Sequence, residues 1–155
     1  MASFDQERIL RDNRRISIQL EQIVNNAVAP WGLTAAQTQV LLHVLRHSDR
    51  GTTLTQIHRE FGYSMPALSA IIKRLKDKGF IRSEHWEGDD RRKLLFATPS
   101  ALALQQRLDR SSDQVRQQLC RCFTPQELYD LDRLQRKLLS SLSALSHQAK
   151  EEPTL

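Results

Sequence analysis

The sequence predicts a mainly α-helical fold with a small β-hairpin, organised as a winged helix-turn-helix with long N- and C-terminal helices. Three observations predict it. Ser or Thr followed three residues later by Gln or Glu recurs along the chain, a pattern that satisfies two orphan backbone donors at a helix start. Two short helical stretches, 54–61 and 65–78, follow one another across a tight Gly62-Tyr63 link, as a helix-turn-helix requires. Two aromatic and apolar stretches of strand length then flank a charged turn, as in a hairpin.

The capping pattern pairs Ser3 with Gln6, Thr34 with Gln37, Thr53 with Gln56 and Thr124 with Glu127. Ser64 and Thr98 are further N-cap candidates. Pro99 and Pro125 sit at first helical positions, where a missing N–H costs nothing. Gly62 and Gly79 suit the position just past a helix end. These marks predict a first helix over 4–29, ending before Pro30, and a second over 35–47. In the second, Val40, Leu41, Val44 and Leu45 recur at helical spacing. Further helices are expected over 54–61, 65–78, 99–122 and 125–147. Strands are expected over 80–86 and 93–98, joined by the turn Glu87-Gly88-Asp89-Asp90-Arg91-Arg92. Residues 148–155 read as a frayed tail. One domain over 1–155 is expected, with its core in 34–98 and flanking helices in 1–29 and 99–147.

The 155 residues suffice for one domain with an ordinary core. Charged residues at 26% and hydrophobic residues at 39% fit a folded chain and exclude a disordered one. The net charge of +5 fits nucleic acid, an anionic membrane surface or solubility alone. Two cysteines, Cys120 and Cys122, make no disulfide framework and fit a reducing compartment. The first ten residues contain Asp5, Glu7 and Arg8 and no apolar centre, unlike a signal peptide. No apolar run reaches membrane-span length. A cytoplasmic protein with no membrane partner is expected.

The 65–78 helix has two faces. Leu68, Ile71, Ile72 and Leu75 can pack inward, whereas Ser64, Met65, Pro66, Ser69, Ala70, Lys73 and Arg74 lie wholly or partly outside that stripe. In a helix-turn-helix the start of the second helix enters the major groove of DNA. Lys73, Arg74, Lys76 and Lys78, offset by Asp77, are placed to meet phosphates. The alternative for such cations is a solvated helix face. The hairpin tip adds Arg91, Arg92 and Lys93. Arginine favours a narrow, electronegative minor groove, and Asp90 is within reach to orient the Arg92 guanidinium. The other reading of the tip is a charged turn that keeps a strand edge soluble.

The stretch from Ala29 to Gln37 (APWGLTAAQ), the block from Leu68 to Gly79 ending in Lys-Arg-Leu-Lys-Asp-Lys-Gly, and Gly88-Asp89-Asp90-Arg91-Arg92-Lys93 followed by Ala97-Thr98-Pro99 resemble the multiple-antibiotic-resistance regulator (MarR) family. The resemblance runs in order through nearly the whole chain, and Asp-x-Arg at Asp90 and Arg92 is its most specific element. It implies a homodimeric regulator held together by the first, fifth and sixth helices. It implies a second helix of the motif in the major groove of a palindromic operator and a wing arginine in the minor groove. It also implies repression relieved by a small lipophilic or phenolic effector. The residues support a dimer by themselves. Leu128, Leu131, Leu134, Leu138, Leu142 and Leu145 form a stripe on the sixth helix, and Leu102, Leu108, Val115 and Leu119 a lesser one on the fifth, more apolar surface than a small core can cover. The recognition helix departs from a family often rich there in Ser, Thr and Arg. Met65, Pro66, Ala67 and Ala70 leave few donors, and apolar contact with thymine methyls can stand in.

Candidate effector-binding residues are Arg15 and Gln19 on the first helix, Trp31, and His43 and His47 on the second. The two histidines have i, i+4 metal-ligand spacing. The fifth helix supplies no further His, so surface histidines and no metal are expected. Cys120 and Cys122 point about 200° apart on a helix and fit small apolar roles. A redox- or metal-responsive regulator on the same fold is the alternative function, and a ligand-free architectural DNA-binding protein is another. No nucleophile elbow, zincin motif, phosphate loop or dinucleotide fingerprint is present, so neither an enzyme nor a cofactor is expected.

Overall fold

The computed structural model describes residues 5–86 and 88–151. It divides into two compact units, one running to Val115 and one from Arg116. The elements are α1 (Gln6–Val28), α2 (Ala35–Arg46), α3 (Leu54–Phe61), α4 (Met65–Asp77), β1 (Ile81–Trp86), β2 (Asp89–Ala97), α5 (Pro99–Cys120) and α6 (Pro125–Glu151). A mainly helical chain with one antiparallel hairpin is therefore what the sequence encodes.

Local chemistry sets the helix starts. The Thr34 hydroxyl accepts from Gln37 N at 3.2 Å while Gln37 Oε1 accepts from Thr34 N at 3.3 Å. The same reciprocal pair forms between Thr53 and Gln56 and between Thr124 and Glu127. Ser64 Oγ caps α4 by accepting from Ala67 N. Asp5 caps α1 by accepting from Arg8 N at 3.0 Å. Ser3, its expected cap, and Phe4, its expected first residue, lie outside the described residues. α1 stops at Val28, and Ala29–Trp31 tighten into one 3-10 turn around Pro30. Gly62 at φ 72° takes the left-handed conformation that ends α3.

The core is built around α2, which is buried from Val40 through Leu45. Val28, Ile57, Leu68, Leu75 and Ile81 close on it, with Leu95, Ala101 and Leu108. Ile71 is only half-buried at its margin. The hairpin is fastened at its base. Thr52 and Leu95 exchange two backbone hydrogen bonds, 3.1 and 2.7 Å. The Thr98 hydroxyl donates to the Gly79 carbonyl at 2.6 Å, and Thr98 N donates to Phe80 O at 3.0 Å.

Several element ends differ from expectation by a residue or two, and three differences move residues between turn, strand, helix and tail. β2 begins at Asp89, so Asp89 to Arg92 belong to a strand rather than to a long turn. His85 pairs with Lys93 but Trp86 with Asp89, so the register shifts there and the bulk of the extra length lies on β2. α5 ends at Cys120, and Arg121 and Cys122 fall in the turn before α6. α6 continues to Glu151, so Gln148 to Glu151 are helical rather than frayed; residues 152–155 lie outside the described residues. Leu108 also differs. It is fully buried in the core, not part of an outward stripe, while Leu102 (47% exposed) and Leu119 (37%) do face outward.

Candidate nucleic-acid interface

α4 presents a single outward face. Ser64, Met65, Pro66, Ala67, Ser69, Ala70, Lys73 and Arg74 are all exposed, while Leu68, Ile72 and Leu75 anchor the opposite side. The helix is held at both ends. At its start, the Tyr63 hydroxyl donates to Gln39 Oε1 on α2 at 2.6 Å, and His58 Nδ1 meets the Tyr63 carbonyl at 2.6 Å. At its end, Phe80 N donates to Leu75 O at 2.9 Å and Gly79, at φ 77°, turns the chain into β1.

The four cations expected to meet phosphates do not stay together. Lys73 and Arg74 are exposed. Lys76 is half-buried and donates to Ser83 Oγ on β1 at 3.0 Å, so it ties α4 to the hairpin. Lys78 reaches back to the Gly32 carbonyl beside the 3-10 turn and braces the far end of the helix. Each lysine meets an acceptor that spacing does not reveal.

Arg92 and Lys93 are exposed on β2. The side chains of Asp90 and Arg91 lie outside the described residues, and the expected Asp90–Arg92 pair with them. Between α3, α4 and β2 lies a concave site of about 710 Å³. Thr53, Arg59, Ser69, Lys76, Arg92 and Lys93 are among its lining residues. Four of its eleven described lining residues are cations and none of them is acidic, and the capped start of α3 also opens there. That lining makes the concavity electropositive. Arg59 was not singled out from the sequence; its position one helical turn beyond Thr55 on the capped α3 was the available signal.

The effector candidates are dispersed. Arg15 pairs with Asp12 at 3.7 Å, and Gln19 is exposed on α1. Trp31 is half-buried against the core. His43 and His47 do meet, with rings stacked 4.2 Å apart. The expected surface pair is half right. His47 is exposed, but His43 is only 4% exposed. His43 Nε2 lies 3.1 Å from Thr52 Oγ1, and Nδ1 lies 3.0 Å from Glu60 Oε2. Burial holds the His43 imidazole below its ordinary pKa, with Glu60 opposing and His47 and Arg46 adding to the depression. Thr52 Oγ1 donates onward to Gln56 Oε1 at 3.1 Å, so the network ends on the cap of α3. Cys122 is exposed and Cys120 half-buried. Among the described residues, no three His, Cys, Asp or Glu converge as a metal site, and no helix is long and apolar enough to cross a membrane.

Residues 31–92 match the model of the MarR family. Among solved structures, the chain is similar to the transcriptional regulator SlyA, with a TM-score of 0.80 at 21% identity over 88% of this chain and 94% of that one. It is similar to MepR of S. aureus in complex with DNA, with a TM-score of 0.79 at 23% identity over 90% and 99% of the two chains. A MarR family transcriptional regulator from Listeria monocytogenes, solved with a 26mer DNA, gives a TM-score of 0.81 at 20% identity over 100% of both chains. At these identities the structural likeness establishes the winged-helix fold.

Proposed function

The chain belongs to the MarR family through residues 31–92, and from that premise we propose that it is a sequence-specific, double-stranded DNA-binding transcriptional regulator of the cytoplasm. The observation that carries this reading is the exposed face of α4 beside a cation-lined concavity. A helix with its start exposed, cations along its later turns and a basic strand beside it matches a major groove flanked by phosphates. Ser64, Met65, Pro66, Ser69 and Ala70 are assigned to the groove. Lys73, Arg74, Arg91 and Lys93 are assigned to phosphates, and Arg92, with Asp90, to the adjacent minor groove. Lys76, which lines the concavity with Arg92 and Lys93, ties α4 to β1 through Ser83.

We assign the working form as a homodimer on a palindromic operator. α1 exposes Ile9, Leu10, Ile16 and Ile23, and α6 exposes Leu131, Leu134, Leu138, Leu142 and Leu145. Such stripes call for a second copy. The regulator acts as a repressor released by a small lipophilic or phenolic effector. Trp31 and His47 are better placed to touch one than His43, which is occupied by Thr52 and Glu60.

Footprinting the purified protein on DNA upstream of its own gene, at two salt concentrations, tests the reading. Two protected half-sites about one helical turn apart are expected. Arg92→Ala should weaken specific binding by about 1–3 kcal/mol. Diffuse protection that fades uniformly with salt would remove the sequence-specific reading. Unchanged affinity for Arg92→Ala would remove the wing assignment.

A further inference from the structure

We propose that the first two turns of α4 choose their DNA by apolar contact with thymine 5-methyl groups, and not by hydrogen bonds to base edges. The inference rests on the reading of α4 as the helix in the major groove. Its content is the chemistry of the half-site that this helix accepts.

The exposed residues of those turns are Met65, Pro66, Ala67, Ser69 and Ala70. None carries two hydrogen-bonding groups. Bidentate recognition of guanine needs Arg or Lys, and of adenine Asn or Gln. Pro66 lacks even a backbone N–H. Ser64 Oγ already accepts from Ala67 N at 3.3 Å, which leaves it one hydroxyl hydrogen. Ser69 offers one more hydroxyl. The first cations on this face, Lys73 and Arg74, lie about 12 Å along the helix from Met65, by the rise per residue.

The surroundings match a groove in cross-section. Arg59 and Lys93 line the concavity beside Ser69, and Lys73 and Arg74 are exposed further along α4. Cations therefore flank an apolar centre, as phosphates flank the floor of a major groove. On that floor every base pair presents acceptors and donors, so hydrogen bonding gives Met65, Pro66 and Ala70 no preference among them. The 5-methyl of thymine is the one apolar group available. The half-site centre is thus a run of A·T pairs with thymines under Met65 and Ala70, and Met65, at 40% exposure, has the reach and pliancy to cover a methyl.

The test uses the full-length protein and a duplex selected by it from a random pool. Each thymine of a half-site is replaced in turn by deoxyuridine, which removes the methyl and keeps every hydrogen-bonding edge. Affinity should fall about fourfold (about 0.8 kcal/mol) at each contacted position and hold elsewhere. Met65→Ala, at an exposed first-turn position where alanine suits a helix, should abolish the uracil effect at one position per half-site. Lys73→Ala should weaken binding without changing that pattern. A selected duplex that binds equally well with uracil throughout would overturn thymine readout and leave the regulator reading intact. Failure to select any sequence would overturn both.

Discussion

Gly51 links the end of α2 to the residue that anchors the hairpin, and replacing it with alanine should loosen that anchor. Gly51 has φ 76°, a conformation that costs an alanine about 1–2 kcal/mol. Sterics add to this. An added Cβ would lie 2.7 Å from Phe96 Cζ and 3.0 Å from Phe96 Cε1. The ring must move, and it is not idle, because the Arg82 guanidinium sits 4.8 Å from its centroid and pairs in turn with Glu84. Displacing a packed side chain costs roughly 1–3 kcal/mol. Gly51→Ala should therefore cost roughly 2–5 kcal/mol in total. Urea unfolding measures it, with wild type and variant at one protein concentration because the stability of any self-associating chain depends on it. Phe96→Leu separates the two contributions. In that background the alanine should cost only its backbone part, about 1–2 kcal/mol, and the difference is the ring's share. An equal cost in both backgrounds, or a cost below about 0.5 kcal/mol in the first, would refute the steric reasoning.

Three further outcomes are expected. Burial depresses the His43 pKa, so its folded value lies below the ordinary 6.5. The unfolded chain then takes up the proton first, and the stability from neutral His43 is complete above pH 6.5 and lost as pH falls through the folded value. His43→Gln should flatten that acid limb in denaturant titrations at stepped pH, and an unchanged slope would assign it elsewhere. Asn25→Ala should cost about 0.5–2 kcal/mol, and Asn25→Asp much less, since the lost group is an acceptor at a helix start; thermal unfolding compares them. Leu75→Ala, at a fully buried position, should cost about 2–5 kcal/mol, and a loss under 1 kcal/mol by urea titration would contradict its place in the core.

Asn25 also marks the limit of what the sequence discloses. Its Oδ1 accepts from Ala35 N at 2.6 Å, assisting Thr34 at the start of α2 from ten residues away. Thr34 and Gln37 were legible because a capping box closes within four residues, but no local pattern points to Asn25. The same contrast runs through the site. The outward face of α4 follows from the spacing of Leu68, Ile72 and Leu75. That Lys76 would find Ser83 and Lys78 the Gly32 carbonyl does not, since both acceptors come from elsewhere in the fold. His43 reads as a surface residue by its polar type, but α2 is buried on nearly every side and leaves it no wet face. Asp89 to Arg92 read as a turn by composition, but β2 starts at Asp89, which pairs with Trp86, and 90–92 fall in the register shift that follows. Leu108 shares its spacing with leucines that face outward, and only packing separates them.

The hairpin's free edge bears on how the protein behaves in a crowded solution. Among the described residues, β1 has a strand partner on one side alone, β2. An open edge is a template on which another chain can add a strand. β1 presents Arg82, Ser83, Glu84 and His85 in succession, all exposed, with Arg82 paired to Glu84. A strand from a second molecule would have to strip water from these groups and offer nothing apolar in return. The polar edge thus resists strand addition by itself, and with it the stacking of like segments that seeds fibres.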